Sequence, residues 1–88
     1  MKTAFQSSFA KDLRSIKDQT LRDWVAELIQ TIEQAADLSE IPNLKRLRAA
    51  GSYYRVRLGE YRVGLTVREG VVSFVRCPHR REIYRYFP

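Results

Sequence analysis

The hydrophobic period of this 88-residue chain changes once, near Ser52, and that change limits the folds open to it. Before it, Leu21, Trp24, Val25, Leu28, Ile29 and Ile32 recur at helical spacing. After it, Tyr53–Leu58 and Tyr61–Val67 alternate apolar with polar residues. A period of 3.6 gathers residues on one stripe of a helix, whereas a period of 2 sends successive strand residues to opposite faces. The pattern therefore predicts an α+β fold: two N-terminal helices packed on a small antiparallel sheet of three to four strands, closed by a short C-terminal helical turn. A chain of this length is expected to form one domain, residues 1–88, with one core.

Met1–Phe5 reads as a short edge strand, and Ser7 or Ser8 can cap a first helix over residues 8–17 that buries Phe9, Leu13 and Ile16. Asp18-Gln19 breaks it. Thr20 with Asp23 has the form of a capping box, opening a second helix that runs to about Ala36. Its apolar stripe, Trp24 included, belongs in the core, because so small a protein needs those residues inside. Asp37–Gly51 is a connector in which Pro42 prevents helix continuation, and Lys45, Arg46 and Arg48 bring positive charge up to the strands.

Gly59-Glu60 is a Gly-X pair suited to a type II′ hairpin, and a two-residue loop fixes the register. Leu58 then faces Tyr61, Arg57 faces Arg62, Val56 faces Val63, Arg55 faces Gly64 and Tyr54 faces Leu65. Tyr54, Val56, Leu58, Tyr61, Val63 and Leu65 share the core side. Arg55, Arg57 and Arg62 share the other, with Gly64 leaving space beside Arg55. Like charges opposite one another cost about 0.2–1 kcal/mol per pair, a cost that a bound phosphate would remove. A second hairpin passes through Arg68-Glu69-Gly70 into a strand from Val71 to about Cys77, with two registers open. A three-residue loop puts Phe74 and Arg76 on the basic face and Val71, Val75 and Cys77 in the core. A two-residue loop buries Arg76, which is costly without a partner, so the first is favoured.

Charge narrows the class of partner. Sixteen Lys or Arg against ten Asp or Glu give +6, yet residues 1–44 carry net −2 and residues 45–88 net +8. All but Lys45 of the eleven basic residues in the second half are Arg, whose planar fork matches phosphate geometry. A polyanion is the expected partner, nucleic acid first. One Cys and one His exclude a disulfide framework and make a zinc site untenable, so no metal and no cofactor are expected. The absence of covalent staples suits a reducing cytoplasm. No apolar run approaches the roughly 20 residues of a membrane helix, and the N-terminus lacks a signal-peptide pattern. Cys77 reads as a small buried hydrophobe. A helical turn over Arg80–Tyr84 places those two side chains on one side, where arginine and an aromatic ring can grip phosphate and stack a base. Ile83, Tyr86 and Phe87 are expected to cover the end of the core.

Two stretches, Tyr54-Arg55-Val56-Arg57-Leu58-Gly59-Glu60-Tyr61-Arg62-Val63-Gly64 and His79-Arg80-Arg81-Glu82-Ile83-Tyr84-Arg85, resemble the RelE/ParE superfamily of type II toxin–antitoxin toxins. Ser8–Leu13, Lys45-Arg46-Leu47 and Phe87-Pro88 carry the likeness over the whole chain. The resemblance implies a metal-independent endoribonuclease that cuts mRNA on the ribosome, its partners being the ribosome, mRNA and a cognate antitoxin. It implies a monomeric toxin within a hetero-oligomer. It also implies catalytic positions at Arg55, Arg57, Arg62, Arg80 and Tyr84, with Tyr84 as base or stacking platform. Arg55 and Arg57 stand where relatives often carry Lys, and guanidinium cannot accept a proton, which leaves Tyr84 or His79 for that role. Lys45, Arg46, Arg48, Arg76, Arg81 and Arg85 are the expected additional RNA contacts. The alternatives are a ParE-like gyrase poison and a non-catalytic RNA- or protein-binding module on the same fold.

Overall fold

The computed structural model describes residues 1–47 and 51–88, so Arg48 lies outside the described residues. Five strands and three α-helices follow in the order β1 (Lys2–Phe5), α1 (Ser7–Ser15), α2 (Gln19–Gln34), β2 (Leu44–Arg46), β3 (Tyr53–Leu58), β4 (Tyr61–Arg68), β5 (Val71–Arg76) and α3 (Ile83–Tyr86), with a 3-10 turn at Leu38–Glu40. The sheet order is β1-β5-β4-β3-β2. It has five strands where three to four were expected, and it is mixed, because β1 runs parallel to β5. The additional strand is β2, three residues of the supposed connector, paired antiparallel to β3.

α2 begins two residues earlier than the Thr20–Asp23 pattern suggests. Asp18 is the cap, its carboxylate accepting from the Thr20 and Leu21 amides at 2.9 and 3.4 Å. The helix then buries Leu21, Val25, Leu28 and Ile32 against Val56, Val63, Leu65, Val72 and Phe74 of the sheet. Trp24 departs from the expected stripe: it is 44% exposed, lying at its margin with the indole against Gly59.

The first hairpin adopts the expected register at all five pairs, and Gly59 takes the positive φ of 56° that the first turn position demands. The second does not. Arg68 pairs with Val71 across a two-residue loop in which Glu69 and Gly70 both have positive φ, and Phe74 is fully buried rather than on the basic face. A register shift between Gly64 and Leu65 resets the alternation, so Phe74 and Cys77 both enter the core while Val75 faces the other side. The cost assigned to Arg76 is met by Asp12 of α1, whose carboxylate accepts from Arg76 Nε at 2.7 Å, Arg76 Nη2 at 3.1 Å and the Cys77 amide at 2.9 Å.

A second apolar cluster, Leu47, Ile83 and Phe87 with Tyr53 and Val75, lies on the sheet face away from α1 and α2. Gly64 is therefore not open space. The Phe87 ring rests on it, so closely that a Cβ there would be 2.8 Å from the ring. This contact carries the chain's last ten residues across the arginine-bearing face.

Candidate phosphate-binding site

The segment after β5 is tied to the first hairpin by backbone bonds. The Arg62 amide donates to the Pro78 carbonyl at 3.0 Å, the Arg80 amide donates to the Glu60 carbonyl at 2.7 Å, and Tyr61 forms a β-bridge with His79. Arg80 is thereby fixed beside Arg62. One turn on, Ile83 is buried and Tyr84 is 64% exposed. Ile83 and Phe87 anchor the segment, each contributing about 2 kcal/mol by burial, and Tyr84 projects from the anchored turn.

Arg55, Arg62, Arg80, Arg81 and Tyr84, with Ile83, line an open groove of about 330 Å³. Arg55 Nε donates to the Tyr84 hydroxyl at 3.1 Å, joining β3 to α3. Arg62 Nη1 donates to the Gly59 and Tyr61 carbonyls at 2.7 and 2.9 Å, so the turn itself orients that guanidinium. Burial, then the neighbouring Arg55, Arg57 and Arg80 charges, push Arg62 below its ordinary pKa, with Glu60 opposing them. Such a crowd of cations favours whatever anion enters it.

Of the residues the sequence singled out, Arg55, Arg62, Arg80, Arg81 and Tyr84 meet in this groove. Arg57 is Arg62's cross-strand partner and reaches Asn43 Oδ1 at 3.4 Å, at the groove's flank. Lys45 pairs in register with Arg55 and extends the same face, whereas Arg46, opposite Tyr54, is on the helical side. Arg76 is engaged by Asp12 and stacks 4.7 Å from the Tyr86 ring. Arg85 lies 5.8 Å from that ring. His79 does not line the arginine groove. It borders a separate hollow with Asp12 and Tyr61, its Nδ1 accepting from the Arg81 amide at 3.2 Å.

Sequence reasoning missed Glu60. Its carboxylate pairs with Arg80 Nε at 2.7 Å and lies 3.9 Å from His79 Nε2. The available signal was its place as the hairpin's only acid, next in chain to the Tyr61 end of the register. Among the described residues no group of three or more His, Cys, Asp or Glu side chains could hold a metal, and no helix is long and apolar enough to cross a membrane.

This fold, with its arginine groove on the sheet face crossed by the C-terminal turn, is that of a RelE/ParE superfamily toxin. A family profile described as the ParE toxin of the type II toxin-antitoxin system, parDE, matches residues 4–84, and the chain belongs to that family. It is similar to Toxin RelE3 of Methanocaldococcus jannaschii, at 33% identity over 100% of both chains. It is also similar to the toxin of the RelB-RelE antitoxin-toxin complex from Methanococcus jannaschii, at TM-score 0.83 and 30% identity, covering 97% of this chain and 99% of that one. The archaeal RelE-RelB complex from Pyrococcus horikoshii OT3 shares the fold at TM-score 0.73, with 23% identity over 90% of this chain and 93% of that one.

Proposed function

We propose that this toxin is a ribosome-dependent endoribonuclease that cleaves mRNA by attack of a 2′-hydroxyl on the adjacent phosphate. The 2′-oxygen bonds to phosphorus and the bond from phosphorus to the 5′-oxygen breaks, giving a 2′,3′-cyclic phosphate and a free 5′-hydroxyl. The 2′-hydroxyl proton leaves to a base, and the 5′-oxygen takes one up. The observation that carries the reading is the groove formed by Arg55, Arg62, Arg80, Arg81 and Tyr84. It supplies fixed positive charge where negative charge grows on the phosphoryl oxygens, without reorganisation during the step. Arg80 is suited to the leaving oxygen. Tyr84, held through its hydroxyl by Arg55, is suited to stacking the base or taking the 2′ proton. His79 is less suited to that proton, because it borders another hollow. Positioning of the RNA by the ribosome supplies much of the remaining acceleration.

Primer extension on programmed ribosomes tests the reading. Wild-type protein should cut the message, and Arg80→Ala and Tyr84→Phe should each cut at least about a hundredfold less, the lower end of the range for one positioned catalytic group. Intact message with wild-type protein would sink it. A second reading, poisoning of gyrase, draws on the ParE description of the matching family. Stabilised DNA breaks in a supercoiling assay would favour it. The proposed protein partner is a RelB-type antitoxin, since the similar toxins were solved in RelB-RelE complexes.

A further inference from the structure

We propose that the sheet face beyond Phe87 holds a second ribonucleotide subsite, for a nucleotide flanking the one in the arginine groove; the inference rests on the ribonuclease reading. β3 and β4 present Arg55 opposite Gly64, and two residues further along, about 6.7 Å, they present Tyr53 opposite Thr66. The Phe87 ring, seated on Gly64, divides these two places on one face. On the far side is a hollow of about 500 Å³ whose lining includes Gln6, Tyr53, Thr66, Arg68, Ser73 and Tyr86. It is the roomiest of the hollows described here, larger than the arginine groove at about 330 Å³.

Its chemistry is that of single-strand RNA recognition. Arg68 is exposed and takes part in none of the ion pairs formed among the described residues, so its fork is available to a phosphate. Tyr86 is 46% exposed, with the Arg76 guanidinium 4.7 Å and the Arg85 guanidinium 5.8 Å from its ring centre. The exposed part of the ring thus offers an aromatic edge flanked by positive charge. The Thr66 and Ser73 hydroxyls and the Gln6 amide offer donors and acceptors to ribose and base edges. No Asp or Glu side chain lines the hollow, whose rim also includes Pro88. An RNA strand running along the face with one phosphate among Arg55, Arg62 and Arg80 would bring a phosphate about two nucleotides on to Arg68, because four strand residues, about 13 Å, separate Gly64 from Arg68.

The test compares 2′-fluoro dinucleotide and tetranucleotide RNA, which lack the attacking hydroxyl, in amide NMR titrations up to millimolar concentration. The tetranucleotide should bind about tenfold more tightly, the gain expected of one stacked base, and should shift the Arg68, Ser73 and Tyr86 amides. Arg68→Ala and Tyr86→Ala should each abolish that gain and leave dinucleotide affinity unchanged, and Tyr86→Phe should restore it. Full gain retained in Arg68→Ala, an exposed substitution that the fold tolerates, overturns the subsite. So does protection of Arg68 and Tyr86 by an antitoxin peptide but by neither RNA. The absence of shifts with either RNA overturns the subsite as well, whereas dinucleotide affinity unchanged by Arg62→Ala overturns instead the reading of the arginine groove beneath it.

Discussion

Glu60 is the one carboxylate that the arginine groove keeps against itself. Its pair with Arg80 is about half-exposed on both sides, and pairs of that kind contribute less than about 1 kcal/mol to stability. Its larger effect is competition, because a phosphate reaching Arg80 must displace it. Glu60→Gln should therefore tighten binding of the 2′-fluoro dinucleotide several-fold while barely moving the thermal midpoint. Weaker binding would show that the carboxylate orients Arg80 more than it blocks it. Asp12 is the opposite case. It satisfies Arg76 through two bonds and the Cys77 amide through a third, with both side chains less than a quarter exposed. Asp12→Ala strands a guanidinium and a backbone donor, and should cost about 2–3 kcal/mol in urea unfolding. Beside it, burial pushes the Cys77 thiol up to about 12. At pH 8 the thiol is then protonated, and a thiol reagent should label it only at the rate of global unfolding.

At the scale of elements, the C-terminal segment is the part on which the site depends. Arg80 and Tyr84 are presented by a stretch whose hold on the sheet is Ile83, Phe87 and the two backbone hydrogen bonds of the bridge to the first hairpin. Gly64→Ala sets a methyl 2.8 Å from the Phe87 ring. The ring must move, at about 1–3 kcal/mol for overpacking, and hydrogen exchange at the Phe87 amide, now bonded to the Ile83 carbonyl at 2.7 Å, should accelerate. Unchanged exchange would show that the segment docks independently of that contact. The first hairpin was legible because its register needs only a two-residue loop and local alternation. The second was not, for two reasons outside its own sequence: Arg76's partner lies on α1, and a bulge lets two residues an odd number apart share the core. β2 is three residues with one apolar side chain and no alternation to read. The arginines of the groove were legible by facing parity. Its closure by Phe87, Glu60's pairing with Arg80 and the exclusion of His79 depend on where the last ten residues cross the sheet, which no periodicity encodes.

Taken as a whole molecule, the chain separates its charge by layer. Residues 1–44, net −2, supply α1 and α2 on one side of the sheet, while the +8 of residues 45–88 includes the cluster on the other side. An inhibitor that reads this asymmetry is acidic or amphipathic and lies over the arginine face, where opposite charge steers association and fixes orientation. Adding such an antitoxin should displace the 2′-fluoro dinucleotide, and the competition should weaken as salt rises from 50 to 200 mM, because the shared attraction is screened. The single tryptophan makes the position testable without labels. Trp24 is 44% exposed on the helical side, bordering a smaller hollow of about 170 Å³ with Leu28, Pro42 and Leu58. An antitoxin seated on the arginine face leaves that hollow empty and should leave Trp24 accessible to a neutral quencher. Loss of quenching, with Arg62 and Arg80 still free to bind the dinucleotide, would put the inhibitor on the helices and make its control of the site indirect, through the Gly59-Glu60 turn that touches both the indole and the arginines.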